Sequence, residues 1–371
     1  MKKRMLAALF CALLVMGLAA CGGSQTATSP ATGAGTSADA SEAARTRIVM
    51  VAGRFNDMSF QQSAYEGGRR IQNELSEYFD VEFVEMGNDS TVWESVIFDV
   101  AESNPDIIIG MGFRQVENFH NIPPYYPNIK FILLDETADF SGGNLSNLMA
   151  ITFHSNESGF LAGAAAALFS QSDTIGFVGG SEAITVTNFL VGYVEGARAV
   201  NPDIRILTAY IGNFTDTATA KDLTLAQIAQ GADVVFQVAG GAGLGVIEGA
   251  SEHEHVMAIG VDADQYEVLA GTDLQSSVMT SSLKRLDNAL WIIANQWIEN
   301  RAVDLFGRNT TFGLGDDAVG IVFNDNLLNS IGAENVARLR EYLDKIASGQ
   351  ITVSGSAHLT PAQIASLVAG Q

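Results

Sequence analysis

Val256–Arg285 reads VMAIGVDADQYEVLAGTDLQSSVMTSSLKR, and its two apolar stretches decide how the rest of the chain is read. Met257–Val261 has the composition of a buried strand and ends in the acidic turn Asp262-Ala263-Asp264-Gln265. Val278-Met279 is a second apolar pair, followed by Thr280-Ser281-Ser282 and then Lys284. Two buried strands of this kind deliver an acid pair and a lysine to their C-terminal ends. In open α/β sheets ligands bind in the crevice beyond those ends. The stretch therefore reads as half of a small-molecule clamp.

The lysine carries most of that reading. From Leu283 the spacing Leu286, Leu290, Ile293, Trp297 is helical. It predicts a helix capped by Thr280, Ser281 or Ser282, with Lys284 in the first turn. The helix dipole disfavours a cation there by a few tenths to ~1 kcal/mol. Either Lys284 is an ordinary surface residue, or an acceptor on the ligand or the protein offsets the cost. Asp262 is the protein candidate.

Outward from this stretch the chain alternates apolar runs with helical patterns. Strands are expected at Ile48–Ala52, Val81–Val84, Ile107–Ile109, Phe131–Leu134 and Leu148–Thr152. A second series follows at Thr174–Val178, Ile204–Tyr210 and Val234–Val238, with Thr311–Leu314 and Val319–Val322 after the lysine helix. Ser59 and Gln62 have the form of a capping box opening a helix. Ala333–Ser348 and Pro361–Val368 read as closing helices. Two βα series with a break near residue 153 imply two doubly wound lobes.

At the other end, Lys2-Lys3-Arg4 precedes an apolar stretch Met5–Met16 and then small residues, the pattern of a signal peptide over residues 1–20. Leu18-Ala19-Ala20-Cys21-Gly22 matches a bacterial lipobox, which makes Cys21 the lipidated first residue of the mature chain. Residues 21–45 are mostly Gly, Ser, Thr and Ala and read as the lipidated cysteine with a flexible tether. The other cysteine, Cys11, lies inside the leader, so no thiolate nucleophile or cysteine metal ligand is expected in the folded part. Of 371 residues 47% are hydrophobic and 17% charged, enough apolar chain for about two domains. The formal charge is −22, and −25 without the leader's three basic residues. That balance argues against nucleic acid as a direct partner.

Chemistry-bearing motifs are few. Gly240-Gly241-Ala242-Gly243-Leu244-Gly245 fails the dinucleotide fingerprint, because the third glycine falls on Val246 or Glu248. Two readings stand: backbone amides close to a ligand at a helix N-terminus, or a tight turn alone. Asp262 and Asp264 lack a third acid or histidine at metal-binding spacing, and ligand binding or helix capping suits them better than catalysis. Glu252-His253-Glu254-His255 reads as a solvated loop, and His358 stands alone. Phe55, Phe60, Tyr65 and Phe214 are candidates for stacking on a flat ligand, against the default of core packing.

These residues resemble the basic membrane protein family, the purine nucleoside receptor-like substrate-binding lipoproteins of ABC transporters. The resemblance spans about residues 46–354. It rests on Gly53-Arg-Phe-Asn-Asp57-Met-Ser59-Phe60-Gln61-Gln62, Phe131-Ile-Leu-Leu-Asp135, Glu157-Ser-Gly-Phe160-Leu161-Ala162-Gly163, Thr174-Ile-Gly-Phe-Val-Gly179-Gly180, Phe189-Leu-Val-Gly192-Tyr193 and Gly240-Gly-Ala-Gly243. Most specific are Gly260-Val-Asp262-Ala-Asp264-Gln265 and Thr280-Ser-Ser-Leu-Lys284-Arg285, with Asp262 and Lys284 22 residues apart. The resemblance implies an α/β, type I periplasmic-binding-protein fold: two Rossmann-like lobes joined by a multistrand hinge. It divides the chain into residues 46–153 plus about 281–315, and 154–280 plus about 316–371. It also implies a binding protein without chemistry, cofactor or metal, which takes a purine nucleoside in the interlobe cleft and hands it to ABC permease subunits. The protein is then expected on the outer side of the cytoplasmic membrane, anchored by lipid at Cys21. By similarity Asp262 and Lys284 hold ribose hydroxyls, Gly240 gives a backbone contact, and Asp57, Gln61 and Asp135 help hold the ligand. Phe60 and Phe214 sandwich the base. Gln61 departs from the family's usual asparagine, which puts base preference in question. Alternatives are a lipid-tethered sensor, a binder of another small molecule such as riboflavin, and a nucleoside hydrolase. The hydrolase would want a denser acid cluster to cage calcium.

Overall fold

The strands of the computed structural model, which describes residues 45–371, fall into two sheets of six with matching order. The leader, the lipidation site at Cys21 and the tether up to residue 44 lie outside the described residues. In the first sheet β1 (Thr46–Ala52), β2 (Phe79–Glu85), β3 (Ile107–Met111), β4 (Lys130–Leu134), β5 (Leu148–Phe153) and β11 (Arg308–Phe312) run β11-β5-β4-β3-β1-β2, all parallel. The second uses β6 (Thr174–Gly179), β7 (Arg205–Tyr210), β8 (Val234–Val238), β9 (Met257–Asp262), β10 (Val278–Lys284) and β12 (Val319–Ile321). Its order is β12-β10-β9-β8-β6-β7, and only β12 is antiparallel. Strands such as Phe131–Leu134 and Val234–Phe236 are sealed on both faces, which is why they read as unbroken apolar runs.

Helices cover both faces of each sheet. On the first, α1 (Phe60–Glu74) and α9 (Leu286–Ile298) bury one face, and α2 (Trp93–Glu102) with α3 (Val116–Asn121) bury the other. On the second, α4 (Ser155–Phe169), α5 (Ile184–Val200), α10 (Asp325–Ala347) and α11 (Pro361–Ala369) form one layer. α6 (Thr217–Ile228), α7 (Gly243–Ser251) and the one-turn α8 (Gln265–Val268) lie on the opposite face. The chain passes between sheets three times: after β5, after β10 and between β11 and β12.

The pair α4–α5 shows why the small-residue helix is small. Gly159 and Gly163 on α4 face Gly192 and Gly196 on α5. A Cβ at Gly163 would stand 2.0 Å from the Tyr193 carbonyl oxygen, and one at Gly196 would stand 1.9 Å from that of Phe160. The two backbones touch, and no side chain fits between them. Gly332, at φ 76°, divides α10, so the helix expected from Ala333 is preceded by a further segment from Asp325 that Asn324 caps.

Two local expectations change. Thr280, Ser281 and Ser282 do not cap a helix; they are buried strand residues of β10, and α9 starts only at Leu286. Lys284 therefore ends a strand and takes no part in a helix's first turn. The hydroxyls that suggested a cap have strand-context partners: Thr280 donates to the Val322 carbonyl, and Ser281 accepts from the Gln265 amide. Ser59 likewise makes no capping bond. The carboxylate of Asp57 accepts from the amides of Ser59, Gln61 and Gln62 and closes the start of α1 instead.

Candidate functional site

The C-terminal ends of the two sheets face a shared cavity of about 420 Å³, within the ~300–1,000 Å³ usual for small-molecule sites. Loops after β1, β3 and β4 line it from one side and loops after β6, β7, β8 and β9 from the other. In both sheets strand order reverses beside the first strand of the series, the topological position at which such crevices form.

Lys284 lies at the floor, buried, as are its two neighbours. Its Nζ donates to Asp135 Oδ2 at 2.6 Å and stands 3.9 Å from Asp262 Oδ1. The protein acceptor is thus Asp135 first and Asp262 second, the reverse of the sequence expectation. The Phe60 and Phe189 ring centroids lie 5.2 and 5.1 Å from the ammonium, inside cation–π range. The second oxygen of Asp262 accepts a 2.7 Å bond from the hydroxyl of Ser59, which reaches over from the first sheet's side. Gln265 Nε2 donates to the Met58 carbonyl across the same divide, at 3.2 Å.

Asp135 and Asp262 share a backbone state. Both follow or end the fourth strand of their series, β4 and β9, and both are left-handed, at φ 64° and 66°. Residues other than glycine rarely sit there, and such strain gathers at functional sites.

Charge at the floor is unbalanced: three carboxyls surround one ammonium. Burial alone would lower the Lys284 pKa, but the carboxylates of Asp135, Asp262 and Glu136 outweigh it and raise it. Burial lifts the Asp262 carboxyl to about 6, against the opposing pull of Lys284 and the Ser59 bond. Burial, with Asp135 next to it, lifts Glu136 to about 7. Burial also raises Asp135, opposed by Lys284.

Of the residues expected from sequence, Asp57, Phe60, Gln61, Phe214, Gly240, Asp262 and Lys284 line the cavity. Asp135 does not; it stands behind Lys284, and its neighbour Glu136 lines the wall instead. Gln61 braces the loop, taking the Arg54 amide on its side-chain oxygen. Phe214 pairs with Phe113, centroids 6.0 Å apart. Phe55 and Tyr65 leave the list, because they pack with Phe83 in a core cluster outside the cavity. Asp264 caps α8, accepting from the Tyr266 amide. No group of three or more metal-ligating side chains occurs among the described residues.

Sequence reasoning missed Phe113, Phe189, Trp93, Glu136 and the inward role of Ser59. Phe113 and Glu136 each follow a strand end, after Gly110-Met111-Gly112 and after Asp135, where a systematic search of post-strand positions finds them. Phe189 lies within α5, and nothing local distinguishes it from core.

The family model described as ABC transporter substrate-binding protein PnrA-like matches residues 45–357. The ABC transporter nucleoside-binding protein BmpA of Lactococcus lactis subsp. cremoris is 30% identical over 332 residues, covering 86% of this chain and 91% of that protein. Basic membrane protein D of Borreliella burgdorferi is 27% identical over 78% of this chain and 82% of its own length. Among solved structures, an ABC transporter solute-binding protein from Aeropyrum pernix K1 superposes with a TM-score of 0.72 at 23% identity, over 88% of this chain and 98% of its own. One from Conexibacter woesei gives 0.66 at 21% identity, covering 84% and 99%. These likenesses establish the type I periplasmic-binding-protein architecture. With the family model spanning nearly all of the described residues, the chain belongs to the Bmp family of ABC transporter substrate-binding proteins, which bind their ligands and do not transform them.

Proposed function

We propose that the protein binds a purine nucleoside between its two lobes and delivers it to the permease of an ABC importer. The observation that carries this reading is Lys284 at the cavity floor, held by Asp135 and flanked by Asp262, beneath aromatic side chains from both lobes. A vicinal diol donates and accepts at each hydroxyl. A carboxylate accepts those hydrogen bonds while an ammonium donates to the oxygens, so the pair suits ribose better than either group alone. Phe60, Phe113 and Phe214 offer apolar faces to a flat base, and Asp57, Gln61 and Gly240 line the wall beside it. The two lobes move about the three chain crossings, and closure strengthens each polar contact by excluding water. The nucleoside-binding name of the Lactococcus lactis relative supports the same ligand class.

The lipobox supports a lipid anchor at Cys21 on the outer side of the cytoplasmic membrane. Cys21→Ser should leave the membrane fraction after a high-salt wash; a variant that stays with membrane refutes the anchor. Calorimetry with adenosine, guanosine and inosine tests the ligand, with chromatography of the recovered nucleoside. Tight binding of at least one, recovered intact, is expected. No binding to any of the three contradicts the reading, and release of free base at catalytic rates contradicts the absence of chemistry.

A further inference from the structure

We infer that Glu136 is a ligand-contacting, specificity-determining residue of the cleft, and that its carboxylate accepts a hydrogen bond from one of the ligand's sugar hydroxyls. The inference rests on the nucleoside reading and adds to it a residue that the family motifs quoted above do not include.

The argument is one of available oxygens. Three carboxylates line the cavity: Asp57, Glu136 and Asp262. Those of Asp57 already accept three backbone amides and the Gln61 side chain at the start of α1. One oxygen of Asp262 holds the Ser59 hydroxyl, and the other faces Lys284. Asp135 is turned to Lys284 and lies behind the wall. Glu136 alone among them accepts no hydrogen bond from a described side chain or amide, although it is only part-exposed. Its backbone is held just past the end of β4, the amide donating to the Ile151 carbonyl of β5 at 3.2 Å. The charged groups around it are Asp135 and Lys284 at the floor, with Asp57, Asp262, Arg54 and Arg114 lining the same cavity.

A part-buried carboxylate without a donor is costly to hold in place. Burial and the neighbouring Asp135 lift it to about 7, and no donated hydrogen bond opposes the rise. A hydroxyl donated by the ligand meets that need. Because Glu136 directly follows Asp135, the residue that bonds Lys284, and lines the same cavity as that lysine, we assign the hydroxyl it takes to the same sugar that the floor holds. A ligand lacking that hydroxyl leaves Glu136 dehydrated and unpaired when the lobes close.

The test is calorimetry of wild type, Glu136→Gln and Phe214→Ala with adenosine, 2′-deoxyadenosine and 3′-deoxyadenosine. Thermal melts confirm that all three proteins are folded. Wild type should bind adenosine more tightly than at least one deoxynucleoside. Glu136→Gln should weaken adenosine roughly 10- to 100-fold, the span of one charge-assisted hydrogen bond, and should reduce the preference for adenosine over that deoxynucleoside. Phe214→Ala should weaken all three by a common factor. If Glu136→Gln keeps wild-type affinities, or loses affinity for all three equally, the inference is overturned while the nucleoside reading stands. If wild type binds none of the three, both fall, and the wild-type titration shows that it was the ligand class that failed.

Discussion

The two sheets have the same strand order, and each has a left-handed aspartate beside Lys284 at the end of the fourth strand of its series, yet the two aspartates have different partners. Asp135, from the first sheet, bonds the lysine directly at 2.6 Å and has no surface on the cavity. Asp262, from the second, is 3.9 Å from the same nitrogen, lines the cavity, and takes its short bond from Ser59. One acid holds a buried cation in place, and the other lines the cavity beside it. On the proposed function, the duplicated architecture supplies a support and a reader from equivalent positions.

That division predicts unequal losses. Asp135→Asn removes the partner of a buried ammonium, and breaking such a pair from one side costs about 3–5 kcal/mol. Chemical denaturation should show a loss of that order without ligand. Asp262→Asn removes a reader whose partner at 3.9 Å is secondary, so its stability loss should be smaller, on the order of 1 kcal/mol. Equal losses in the two variants erase the distinction between support and reader.

A smaller effect separates stability from binding through pH. Asp262 and Glu136 have pKa values raised on folding, to about 6 and about 7. A carboxyl raised on folding favours the folded state when protonated, and that contribution is lost as pH rises through the folded pKa. Between pH 5 and pH 8 the ligand-free protein should therefore melt at progressively lower temperature. Nucleoside affinity should run the opposite way, weakening as pH falls through about 7 and then about 6, because Glu136 and Asp262 accept hydroxyls as carboxylates. Calorimetric melts and titrations over that range check both slopes; parallel slopes contradict the assignment of Asp262.

Much of this was legible in the sequence. Buried parallel strands read as continuous apolar runs ended by Gly or Asp, so each described strand has a counterpart in the sequence reading, several with ends that shift. β10 was cut short because Thr280, Ser281 and Ser282 are polar, and their burial depends on the Val322 carbonyl and the Gln265 amide, groups distant in sequence. Ser59 was misread for the same reason: a local capping pattern competes with a partner 203 residues away. The lysine's first partner is 149 residues distant, and no spacing rule links Asp135 to Lys284. That Asp262, Lys284, Phe60 and Phe214 line the cavity is legible because strand ends and post-strand aromatics are local features. Phe189 and Glu136 acquire meaning only when the two sheets face each other.

The central claim, that Asp262 and Lys284 read the sugar of a nucleoside, is tested most directly by a double comparison in one calorimeter. Wild type, Asp262→Asn and Lys284→Met are titrated with a bound ribonucleoside and with its 2′,3′-dideoxy counterpart. Each substitution should weaken the ribonucleoside by roughly 10- to 100-fold, at ~1.4 kcal/mol per tenfold. The dideoxynucleoside should bind wild type poorly and lose little more in either variant. Equal proportional losses for both ligands would mean that the pair holds up the fold and does not read the sugar.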